Sequence, residues 1–128
     1  MKLQDRFLRY VQIHTTSDEE SETSPSAQRE YDLANLLIEE LRAMGIEDTT
    51  LSEDGYVYAH IPASEGFETR KSQAFIAHMD TAPDFSGENV KPRIIPNYNG
   101  QDVVLEATGD ILSVKDFPDL TSLKGRTL

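Results

Sequence analysis

The chain has 128 residues, 38% of them apolar and 27% charged, with 23 acidic against 12 basic side chains and a formal charge of −11. That length allows one domain with a modest core, and the composition is that of a globular rather than a disordered chain. The acidic excess argues against nucleic acid or an anionic membrane as partner, and the lack of cysteine excludes disulfides, thiolate metal sites and cysteine nucleophiles.

The start Met1-Lys2-Leu3-Gln4-Asp5-Arg6 lacks the apolar core of a signal peptide, and no apolar run approaches a membrane span. A soluble, cytoplasmic protein is therefore expected. Leu3, Phe7, Leu8, Tyr10 and Val11 recur at helical spacing, which predicts a short amphipathic helix over residues 3–13. Residues 14–24 read as a polar, acidic loop; Asp18, Glu19, Glu20 and Glu22 lack the alternating ligands and central glycine of a calcium loop.

Ser24-Pro25 opens the clearest element. Ser24 suits the N-cap, Pro25 the first turn and Gly45 the position just past the end, so a helix is predicted over residues 25–44. Its apolar stripe is Ala27, Tyr31, Ala34, Leu37, Ile38, Leu41 and Met44. With acidic Glu30, Glu39 and Glu40 off the stripe, the helix should cover a sheet rather than lie on a membrane. Ile46 to Ser52 should be a strand, turned at Glu53-Asp54-Gly55 into an antiparallel partner, Tyr56 to Ile61. There Val57, Ala59 and Ile61 would face one side and Tyr56, Tyr58 and His60 the other, with His60 on the sheet surface rather than a ligand.

A loop from Pro62 to Glu68 leads to the stretch on which function turns, Ala74-Phe75-Ile76-Ala77-His78-Met79-Asp80-Thr81-Ala82-Pro83. The apolar run reads as a buried strand emptying into a loop, so His78 and Asp80, two apart, should share a face at its carboxyl end. Open α/β sheets place ligand sites there. Imidazole is the commonest metal ligand, and a ligating His usually gives its other N–H to a carboxylate. The bland alternative is a His ending a strand and an Asp opening a turn, and His-x-Asp alone does not choose between them. Farther on, Arg93-Ile94-Ile95 is a short extended piece. Val103-Val104-Leu105 and Ile111-Leu112-Ser113 pair as a hairpin around Thr108-Gly109-Asp110, and Pro118 to Lys124 form a helical turn or two closed by Gly125. Gly125-Arg126-Thr127 is no phosphate loop, for it lacks the glycine-rich lead and the Gly-Lys-Ser/Thr ending.

The stretch His78-Met79-Asp80-Thr81-Ala82-Pro83-Asp84-Phe85-Ser86-Gly87-Glu88-Asn89-Val90-Lys91-Pro92 closely resembles the first metal-ligand segment of the peptidase T branch of the M20 metallopeptidases. Many M20 enzymes share the His-x-Asp pair, whereas Pro-Asp-x-Ser-Gly-x-Asn-Val is particular to that branch. Ile111-Leu112-Ser113 and the run from Phe117-Pro118 through Leu123, Gly125 and Leu128 are also similar to it. The resemblance runs from Arg6-Phe7-Leu8 to Leu128. The branch more often has Asp where His14 stands, and His14 reads as a structural substitution.

The resemblance implies an α/β fold: the N-terminal part of a zinc aminopeptidase-type α/β/α sandwich, whose mixed sheet has residues 73–79 as its central strand. Residues 1–128 would be the front of the metal-binding catalytic domain, with its remainder and an inserted second domain beyond Leu128. The implied activity is release of the N-terminal residue of tripeptides, by water activated at two zinc ions. His78 would be a ligand to one zinc and Asp80 the catalytic carboxylate that orients it; Asp84 and Ser86 take no role. The bridging Asp, the Glu–Glu pair with the general base and the last ligands have no counterpart here, so the 128-residue chain is expected to be inactive and at best a weak metal binder. Its partners would be small peptides, not nucleic acid or membrane. Two other readings stand beside this one: an M20 dipeptidase, carboxypeptidase or amide deacylase, and a non-catalytic acidic interaction domain on the same fold.

Overall fold

The computed structural model describes residues 2–128, which divide into two compact units, one running to Val90 and one from Lys91 to Leu128. In the first, helix α1 spans Leu3–Tyr10, and the Asp5 carboxylate accepts the Lys2 N–H at 3.1 Å, covering one orphan donor at its start. It stops three residues short of the expected end: Val11, Gln12 and Ile13 form a turn closed by Ile13 N–H to the Tyr10 carbonyl.

Helix α2 spans Glu30–Ala43 and begins later than its sequence signals suggest. Pro25 is buried against the Gly55 turn, close enough that a Cβ on Gly55 would meet its ring at 3.1 Å. Ser24-Pro25 is thereby committed to the hairpin instead of the helix. Residues 27–32 bridge the gap as tight turns, and the Glu30 carboxylate accepts both the Ser26 hydroxyl and the Ala27 N–H. The buried face is also wider than the expected stripe. Leu33 and Leu36 join Ala34 and Ile38 in the core, while Met44 is exposed. The end is as expected, with Gly45 at φ +85°, a conformation that costs glycine nothing.

Strands β1 (Thr49–Leu51) and β2 (Val57–Ala59) form the expected antiparallel hairpin, with Thr50 opposite Tyr58. Gly55 makes its turn at φ +81°. Helix α2 packs on this hairpin, Arg42 donating to the Thr49 hydroxyl and the Tyr31 hydroxyl to the Glu53 carbonyl. Polar contacts centred on Glu40 attach α1 to α2: Arg9 donates at 2.8 Å, the Tyr10 hydroxyl at 2.5 Å, and Arg6 Nε lies 3.0 Å away. Burial of the Tyr10 phenol, then its bond to the Glu40 carboxylate, pushes its pKa up to about 12.

The expected buried strand over residues 73–79 is not formed. Residues Lys71 to Asp80 form neither helix nor strand, and Phe75 and Ile76 are 95% and 97% exposed. A strand cannot satisfy its own backbone, and among the described residues no neighbour offers this run a ladder. The sheets are likewise two separate antiparallel pairs, not one mixed sheet. The chain is α/β in content, but the sandwich is not assembled within these residues.

In the second unit, β3 (Val103–Val104) and β4 (Ile111–Leu112) pair antiparallel, with Gly109 in the connecting turn at φ +80°. A 3₁₀ helix follows at Pro118–Leu123. Ile95 and Leu128 exchange backbone hydrogen bonds at 2.8 and 3.0 Å, and Gly125 N–H donates to the carbonyl of buried Tyr98. No helix among the described residues is long and apolar enough to cross a membrane.

Candidate metal centre

His78 and Asp80 do come together, though not on a buried strand. His78 Nδ1 lies 2.8 Å from the Asp80 carbonyl oxygen and 3.2 Å from its Oδ1. Both oxygens can only accept when the carboxylate is ionised, so Nδ1 must be the protonated nitrogen. In the neutral ring the lone pair is then on Nε2, and the ring is 85% exposed. The pair thus has the arrangement of a metal-ligating histidine, with the tautomer fixed by a carboxylate and a carbonyl and the other nitrogen open to solvent. One zinc–nitrogen bond fits this donor. A complete centre does not: among the described residues, no three His, Asp or Glu side chains gather as a metal-holding group.

The other singled-out residues lie elsewhere. His60 is on the surface of β2's end and pairs with Asp48 at 3.1 Å, both exposed. Asp84 and Ser86 are exposed in the loop after Asp80, where the Ser86 hydroxyl accepts the Glu88 N–H. His14 is half-buried with its ring edge facing Gly87.

The spacing of the motif did not reveal what holds this loop. Thr16 and Thr81 form a parallel bridge: Thr81 N–H donates to the Thr15 carbonyl at 3.1 Å, and Ser17 N–H to the Thr81 carbonyl at 3.0 Å. The Thr16 hydroxyl accepts the Gly87 N–H at 2.8 Å, and Arg29 Nε donates to the Thr16 carbonyl at 2.6 Å. Thr15 and Thr16 are both buried, although they open a polar stretch. The available hint was β-branching beside the loop, since Thr favours extended, paired backbone.

No model of a known protein family matches the chain. Individual relatives do. It is 51% identical over 128 residues to a peptidase T of Geobacillus thermodenitrificans, covering 99% of this chain and 31% of that protein. A peptidase T of Alkaliphilus oremlandii is 51% identical over 125 residues, and one of Geobacillus sp. strain WCH70 is 49% identical over 125. The chain belongs to the peptidase T family. It spans about a third of the length of the curated relatives it matches, 30–31% in these three. The match takes in the His78–Asp80 pair, Thr16 and the loop to Gly87, which lie well inside the aligned length.

Proposed function

We propose that this chain is the front part of the metal-binding domain of a zinc aminopeptidase that releases the N-terminal residue of tripeptides. Its relatives are named peptidase T and are about three times as long, which supports a longer protein whose remaining sequence supplies the other ligands, the general base and the rest of an α/β/α sandwich. The observation that carries the reading is the turn of the His78 ring, with Nδ1 toward Asp80 and Nε2 outward.

In this reading His78 holds one zinc through Nε2. Asp80 fixes the tautomer and makes Nε2 a better donor by accepting from Nδ1. Zinc in such a centre polarises the scissile carbonyl and lowers the pKa of water. The 128-residue chain alone, with one ligand and no base, turns nothing over. The acidic surface and lack of cysteine suit a cytoplasmic enzyme acting on small peptides, with no nucleic acid or membrane as partner.

The test offers tripeptides, dipeptides and N-acylated peptides to the longer protein with zinc. Tripeptide cleavage that His78→Ala abolishes is the expected result. A preference for dipeptides or N-acyl substrates would move the reading to another M20 activity. Rapid hydrolysis by the 128-residue chain alone would sink its assignment as an incomplete centre.

A further inference from the structure

The Asp80–Thr81 peptide unit is engaged on both sides. Its carbonyl accepts from His78 Nδ1 at 2.8 Å, and its N–H donates to the Thr15 carbonyl at 3.1 Å. A peptide is planar and stiff, so whatever fixes its N–H also fixes the direction of its C=O. The orientation of the His78 ring is therefore tied to the backbone at residues 15–17, more than sixty positions earlier.

Thr16 holds that backbone in place. It is 7% exposed, and its hydroxyl accepts the Gly87 N–H at 2.8 Å while lying 3.3 Å from the Thr81 hydroxyl. One side chain thus grips both ends of the loop from Thr81 to Gly87. Behind it, Arg29 donates Nε to the Thr16 carbonyl at 2.6 Å and Nη2 to the Ser17 carbonyl at 3.4 Å. Gly87 must be glycine for this closure, because a Cβ there would sit 2.8 Å from Thr16 Oγ1 and 3.2 Å from Thr81 Oγ1.

We propose that Thr16 is a positioning residue for the metal ligand: by clamping Thr81 and Gly87 it sets the Asp80–Thr81 peptide, which holds the His78 ring with Nε2 outward. The proposal rests on the reading of His78 as a zinc ligand, but its first test does not. Thr16→Val keeps the shape and removes the hydroxyl; Thr16→Ser keeps the hydroxyl. In the metal-free chain, amide exchange and the ¹⁵N shifts of the His78 ring are followed at a pH where imidazole is neutral. Thr16→Val should speed exchange at Gly87 by about three- to tenfold, the range for one lost hydrogen bond. It should also move the His78 ring away from the Nδ1–H tautomer, and Thr16→Ser should restore both signals.

Gly87→Ala strains the same clamp from the loop side and should give the same ring signature, which covers the case in which Thr16→Val fails to fold. A His78 ring that keeps the wild-type tautomer in both Thr16→Val and Gly87→Ala, or in Gly87→Ala alone where Thr16→Val is unfolded, would overturn the proposal. Zinc titration then separates the two ideas. Loss of the clamp should weaken zinc binding at His78 by roughly tenfold, the low end for outer-shell partners of a ligand. If zinc leaves the His78 signals of the longer wild-type protein unmoved, the ligand reading fails, while the tautomer result in the metal-free 128-residue chain still decides the clamp.

Discussion

Replacing Glu40 by Ala should cost this chain about 3 kcal/mol. The Glu40 side chain is only 11% exposed and is surrounded by three partners from α1. The Tyr10 hydroxyl bond at 2.5 Å is charge-assisted, and such bonds contribute about 1.5–3 kcal/mol. The Arg9 pair at 2.8 Å is more exposed and adds at most about 1 kcal/mol. Arg6 Nε, at 3.0 Å but poorly aligned for a hydrogen bond, contributes through charge alone and would lose its nearest anion. Tyr10→Phe should cost about 1.5–2 kcal/mol, the low end of that range, and the double variant should cost less than the sum, because both singles remove the same bond.

The raised pKa of Tyr10 adds a signature in pH. Its folded value, about 12, lies above the unfolded value near 10, so the stabilisation is fully present below pH 10 and is lost as pH rises toward 12. Two pKa units correspond to about 2.7 kcal/mol, which solvent screening at this half-exposed phenol reduces to about 1 kcal/mol. Urea unfolding of wild type, Tyr10→Phe and Glu40→Ala from pH 8 to 12 measures both effects. A Glu40→Ala variant within about 0.5 kcal/mol of wild type, or an equal alkaline loss in wild type and Tyr10→Phe, would refute the assignment.

Three further outcomes are expected. Ala34, with no exposed surface in α2, should reject a larger side chain: Ala34→Leu lowers stability by about 1–3 kcal/mol in denaturant melts. Gly55→Ala and Gly66→Ala both force a side chain into positive φ at about 1 kcal/mol, but only Gly55 also meets the Pro25 ring. Gly55→Ala should therefore lose clearly more stability, and equal losses would show that the Pro25 contact yields freely. Phe75→Ser with Ile76→Ser should leave the unfolding midpoint nearly unchanged, since both side chains are exposed, yet reduce self-association seen by light scattering.

The structural features legible in the sequence are local ones. Both hairpins were legible because each carries a glycine where the turn needs positive φ, Gly55 and Gly109, between runs that alternate or favour strands. The end of α2 at Gly45 was legible for the same reason, and the meeting of His78 with Asp80 needs only two residues of reach. Tertiary structure decided the rest. The start of α2 moved to Glu30 because Pro25 packs on a turn thirty residues away, a contact no capping rule contains. Leu33 and Leu36 entered the core because the surface against α2 is wider than one stripe. The run Ala74–Ala77 has the composition of a buried strand, yet strand formation depends on a neighbour's hydrogen bonds, which composition cannot supply. The clamp on the candidate site joins Thr16 to Thr81 and Gly87 across 65 and 71 positions, so its parts acquire meaning only once the fold brings them within hydrogen-bond reach.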